Sequence, residues 1–100
     1  MDEFYQILME NLIVDQVLYT TGLGTEYKFY GWSNLNNSLR YKINNNTKYI
    51  PPQTLIECNE AVNGGVDFTR SWFRQHHSQQ YTNSPCNFSV IINLINLYGV

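Results

Sequence analysis

Charge is scarce in this chain. Only 14% of its 100 residues are Asp, Glu, Lys or Arg, well below the usual quarter. The net charge of −2 lacks the basic excess of a protein whose whole surface attracts nucleic acid. Cysteine is equally sparse: Cys58 and Cys86 are the two present, too few for the disulfide framework that holds small secreted scaffolds together. No apolar run reaches the ~18 residues of a membrane span. The nearest, Val90 to Val100, is interrupted by Asn93 and Asn96, so no membrane partner is expected. The first residues carry no signal-peptide pattern, and the expected location is cytoplasmic and reducing. Sequons occur at Asn36, Asn45 and Asn87, as chance produces in an asparagine-rich chain, and carry no weight in that setting.

What is present is a globular composition, 43% hydrophobic and 15% aromatic, with polarity supplied by Asn, Ser, Thr and Gln rather than by charge. A chain of 100 residues has room for one hydrophobic core, so one domain over residues 1–100 is expected. The few charges are unevenly placed. Asp2, Glu3, Glu10, Asp15 and Glu26 precede any cation, and Lys28, Arg40, Lys42 and Lys48 follow with no carboxylate until Glu57. That order permits two faces of opposite sign.

Hydrophobic spacing predicts the elements. Phe4, Ile7 and Leu8 share one face of a short first helix, with Asp2 and Glu3 at the end where a helix dipole favours negative charge. Leu12 to Thr20 is rich in β-branched and aromatic residues, and Gly22 and Gly24 punctuate the chain before it resumes at Tyr27. Tyr27, Phe29 and Gly31 then alternate with Lys28 and Tyr30, the period of a strand with one buried face. After turn chemistry at Ser33–Asn37, Leu39, Tyr41 and Ile43 alternate with Arg40 and Lys42. These segments predict a three-stranded antiparallel meander, followed by a polar loop at Asn44–Thr47. Pro51 and Pro52 open a second helix carrying Leu55, Cys58 and Val62, stopped by Gly64 and Gly65. A third runs from Asp67 or Thr69 to Gln80, and a fourth starts at Ser84–Pro85 and ends at Gly99. The fold class is therefore α+β: an N-terminal helix, the meander, then three C-terminal helices packed on the sheet.

The layout of the second and third helices, joined through Gly64 and Gly65, resembles a helix-turn-helix. Arg70, Arg74 and His77 recur along the third helix at i, i+4 and i+7. Arginine pairs bidentately with guanine, and neighbouring Gln75 and Ser71 suit adenine and phosphate. Lys28, Arg40, Lys42 and Lys48 would add backbone contacts. Glu57 and Glu60 on the preceding helix oppose a phosphate backbone. A different surface is offered by Tyr27, Phe29, Tyr30 and Trp32 interleaved with Lys28, continued by Arg40, Tyr41 and Lys42. Aromatics beside cations on a sheet stack the bases of single strands or anchor a protein partner. One face must be core, which leaves Tyr30 and Tyr41 as the surplus for binding.

Other chemistry is weaker. Cys58, His76, His77 and Cys86 are zinc-ligand types, but no Cys-x-x-Cys knuckle occurs and adjacent helical histidines point about 100° apart. A nucleophile such as Cys86 or Ser78 beside His76 or His77, oriented by Asp67 or Glu60, has no local signature. Gly22-Leu23-Gly24 precedes a strand, so it is a hairpin turn rather than a phosphate loop. No catalytic residue, metal or cofactor is expected. The function expected first is a small nucleic-acid-binding module with duplex DNA as partner. The alternative is a protein-interaction or self-assembling domain, a homodimer through Val90, Leu94 and Leu97 on the apolar last helix.

Overall fold

The computed structural model describes residues 2–100. It is an α+β fold with a four-stranded antiparallel sheet and five helices, in the order α1 (Glu3–Asn11), β1 (Val17–Tyr19), β2 (Glu26–Trp32), β3 (Leu39–Ile43), β4 (Asn46–Ile50), α2 (Pro52–Asn63), α3 (Arg70–His76), α4 (Ser78–Asn83) and α5 (Cys86–Tyr98). Neighbouring strands in sequence are neighbours in the sheet, β1-β2-β3-β4.

The meander thus has one strand more than the residue pattern predicts. Asn44 and Asn45 take φ of 50° and 64°, the two left-handed positions of a two-residue hairpin turn, which asparagine tolerates better than most residues. Asn46 and Thr47 leave that turn already paired with Ile43 and Lys42. What reads as a polar loop is a tight turn followed by a polar edge strand.

The third expected helix is likewise two. His77, with φ −136° and ψ 54°, interrupts the chain between α3 and α4. Thr69 caps α3 by accepting from the Trp72 amide at 3.1 Å, whereas among the described residues no side chain caps α4. The start of α5 also differs in detail, since Pro85 rather than Ser84 occupies the capping position.

The helices bury Phe4 and Leu8 of α1, Leu55 and Cys58 of α2, Phe73 of α3, and Val90, Ile91, Leu94 and Ile95 of α5. Against them lie Leu18, Tyr27, Phe29, Leu39, Tyr41, Ile43 and Ile50, the inward residues of the strands. A bulge at Tyr30–Gly31 adds one residue to β2 opposite β3, with Gly31 at φ 97°. The extra residue reverses the alternation, so Trp32 turns back to the core side and stacks on Tyr5 at 5.1 Å between ring centroids. Among the described residues, no helix is long and apolar enough to cross a membrane.

Candidate functional site

The helices pack on the side of the sheet that carries its buried residues, and the other face is largely open to solvent, with Val14 reaching it near Gly31. Cross-strand register decides which residues share it. Val17 opposes Lys28, and Lys28 opposes Lys42. Lys42 in turn opposes Thr47, and Arg40 opposes Tyr49. Tyr30 joins them, since the Lys42 ammonium lies 5.9 Å from the centre of its ring. Tyr19 and Glu26 close one end of the face. Lys28 and Tyr49 are exposed, whereas Tyr30, Arg40 and Lys42 are half-buried.

Three cations and three tyrosines therefore converge here, with Glu26 as the carboxylate among the described outward residues of the strands. Glu3 and Glu10 on α1, and Glu57 and Glu60 on α2, belong to the helical layer behind the sheet. Directly opposed lysines repel, and no carboxylate pairs with Lys28 or Lys42 among the described residues. An anion laid across this face would relieve that repulsion.

Arg40 is held more firmly. Its Nη2 donates to the Tyr30 carbonyl at 3.0 Å, while its Nε is shielded from solvent with no acceptor among the described residues. The bulge makes this approach possible. A Cβ on Gly31 would come within 3.4 Å of Arg40 Nη2, and the φ of 97° there is one that only glycine adopts readily. Lys48 does not join the group, since it opposes Tyr41 and so points to the core side.

Tyr41 is not available for binding either. It is fully buried, because β3 turns Leu39, Tyr41 and Ile43 inward together. Its hydroxyl is satisfied by the side-chain oxygen of Asn87 and lies 3.2 Å from Cys86 Sγ. Burial pushes the Tyr41 and Tyr27 phenols far above their usual pKa. It also raises the Cys58 thiol to about 12, with Glu57 adding to the effect. These core groups stay protonated near neutrality and serve packing.

The helix residues are placed differently. Arg70 donates from Nη2 to Ser89 Oγ at 2.9 Å and lies 4.9 Å over the Phe88 ring, which fastens it to α5. His77 is 10% exposed and its Nε2 lies 3.6 Å from Glu57 Oε1. Burial lowers its pKa, against the opposing pull of Glu57. Arg74 is exposed. His76 stacks on Trp72 at 4.3 Å and bonds the Trp72 carbonyl through Nδ1 at 2.9 Å. Among the described residues, no group of three or more His, Cys, Asp and Glu side chains could hold a metal. Val90 and Leu94 lie inside the core, and Leu97 is 56% exposed. Of the side of α5 expected to remain free, Val90 and Leu94 are thus packed within the same chain, where α1, α2, α4 and β4 contact this helix, and Leu97 stays open.

The sequence signal for the open face was the pairing of Lys28 with Tyr30 and of Arg40 with Lys42 at period two. Tyr49 and Tyr19 carried no such signal, since one lies on the unrecognised strand and the other on a short edge. Compared with known proteins, the chain matches no family model, no curated sequence and no solved structure.

Proposed function

We propose that this protein binds single-stranded nucleic acid across the open face of its sheet. The observation that carries the reading is the convergence of Lys28, Arg40 and Lys42 with Tyr30 and Tyr49 on the uncovered side. Cations track a phosphate backbone, and tyrosine rings offer stacking platforms that accept any base. The chain's net charge of −2 does not oppose this, because the carboxylates of α1 and α2 lie behind the sheet. Duplex DNA read by α3 is less well supported, since Arg70 and His77 already have partners within the fold.

Fluorescence anisotropy of a labelled oligothymidylate tests the reading. Affinity should fall with salt, with a log–log slope of about −2 if three cations meet phosphates of a single strand. Lys28→Glu with Lys42→Glu should abolish binding. Tyr30→Ala should weaken it by about 5- to 150-fold, the worth of one base stack. Arg74→Ala should change nothing. Salt-independent affinity, or full binding by the double glutamate variant, would refute the proposal.

A separate observation favours self-association. Ile13, Val14, Val17 and Tyr19 are 71%, 57%, 43% and 57% exposed, beside the free edge of β1. Unpaired edge strands recruit another strand, here that of a second copy. Elution that shifts with protein concentration, and is made constant by Val17→Lys, would support this reading; a constant elution volume in the parent protein would sink it.

A further inference from the structure

A cleft of about 430 Å³ opens at the end of the sheet where the loop between β2 and β3 faces β4 and α4. Arg40, Tyr49, Pro51 and Gln80 form its walls, with the Ser33–Ser38 loop across from them, and among the described residues no carboxylate lines it. The orientation of Gln80 follows from a chain of hydrogen bonds. The Tyr49 carbonyl can only accept, so the group of Asn87 that meets it at 3.1 Å is the amide nitrogen. The same nitrogen donates to Gln80 at 2.8 Å, so Gln80 presents its oxygen to Asn87 and has its own NH₂ left over. Among the described residues that NH₂ has no acceptor.

Arg40 supplies the charge. Its guanidinium is anchored on the Tyr30 carbonyl, its Nε is desolvated without an acceptor, and no carboxylate pairs with it among the described residues. A partly desolvated cation without counter-charge is costly, and an oxyanion in the cleft would compensate it. The guanidinium fork matches phosphate geometry. Beside it the Tyr49 ring, 51% exposed, and Pro51 give an apolar surface suited to a planar base.

We propose that this cleft binds the phosphate of a nucleotide through Arg40 and Gln80, with the base against Tyr49. The inference rests on the nucleic-acid reading of the sheet and deepens it. Its phosphate comes either from a bound strand or from a free mononucleotide, and the test separates the two sources.

The experiment follows the side-chain N–H resonances of Arg40 and Gln80 in the ¹⁵N-labelled protein. The additions are AMP, adenosine, inorganic phosphate and a short oligothymidylate. AMP should shift both resonances, and adenosine at equal concentration should not. Gln80→Glu keeps an oxygen for Asn87 but places a carboxylate beside Arg40. It should lower AMP affinity by about tenfold or more, with near-ultraviolet circular dichroism unchanged. Arg40→Lys, which keeps the charge and loses the fork, should also weaken AMP.

If the oligonucleotide binds through Lys28 and Lys42 while neither AMP nor the strand moves Gln80, the cleft proposal is overturned and the sheet reading stands. If AMP shifts Gln80 but no oligonucleotide is retained, the cleft is upheld as a mononucleotide site and the sheet reading falls. AMP shifts that are as large at Lys28 and Lys42 as at Gln80 would mark unspecific attraction and also overturn the cleft.

Discussion

The hydroxyl of Tyr41 donates to the side-chain oxygen of Asn87 in the fully buried seam between β3 and α5. Because Tyr41 gives its proton to Asn87, the neighbouring Cys86 thiol at 3.2 Å is the donor in its own contact with the Tyr41 hydroxyl. Asn87 also holds the Tyr49 carbonyl and Gln80, so it ties the sheet edge to both last helices. As 0% of Asn87 is exposed, its sequon offers no acceptor in the folded protein.

Tyr41→Phe keeps the ring and removes the donor. The Asn87 oxygen is then buried without a partner, at a cost of about 1–3 kcal/mol. Urea unfolding should show a midpoint lowered accordingly with an unchanged slope. An unchanged midpoint would mean that the seam admits water.

The turn between β3 and β4 makes an opposite pair of predictions. Asn45 sits at φ 64°, where glycine is unstrained and a β-branched residue is strained by about 1–2 kcal/mol. Asn45→Gly should leave the thermal midpoint equal or raised, and Asn45→Val should lower it by several degrees. Equal midpoints for the two variants would argue against the two-residue turn.

Much of the fold was legible because its strands repeat strictly. Tyr27 and Phe29, and Leu39, Tyr41 and Ile43, alternate with polar residues and are buried as that period requires. β4 was hidden because Asn46, Thr47 and Lys48 are polar and Ile50 is its one fully buried residue, so the alternation never develops. In the sequence Gly31 continues the alternation of Tyr27 and Phe29, and the bulge there, with its effect on Trp32, emerges only with the pairing to β3. The cations of the open face were legible individually. Their convergence was not, because it depends on register between strands, and Gln80 acquires its orientation only through Asn87.

His77 should make stability depend on pH. Burial lowers its folded-state pKa below 6.5, so the unfolded chain takes up the proton first. The stability is complete above pH ~6.5 and is lost as pH falls from there towards the folded-state pKa. Glu57 opposes the shift, as it favours the imidazolium, so Glu57→Gln should extend the loss to lower pH. Urea midpoints measured between neutral and mildly acidic pH should fall in the parent, fall further in Glu57→Gln, and flatten in His77→Gln. A slope unaffected by His77→Gln would assign it to other groups.

The last helix separates core from surface within one turn. Leu94 is 1% exposed and Leu97 is 56% exposed, although both are leucines in the same apolar run. Leu94→Glu would place a carboxylate among Leu55, Val90 and Ile91 of the core cluster without a cation to pair with it. Burial of an unpaired charge costs several kcal/mol, comparable with the whole stability of ~5–15 kcal/mol of a typical domain. Circular dichroism should therefore show an unfolded or molten chain. Leu97→Glu puts the same group into solvent at the same helix, so helix propensity is matched and burial alone differs. It should leave the spectrum native and the midpoint within about 0.5 kcal/mol of the parent. If Leu97→Glu instead unfolded the chain, Leu97 would have to be covered in solution, and α5 would be the interface of a second copy after all.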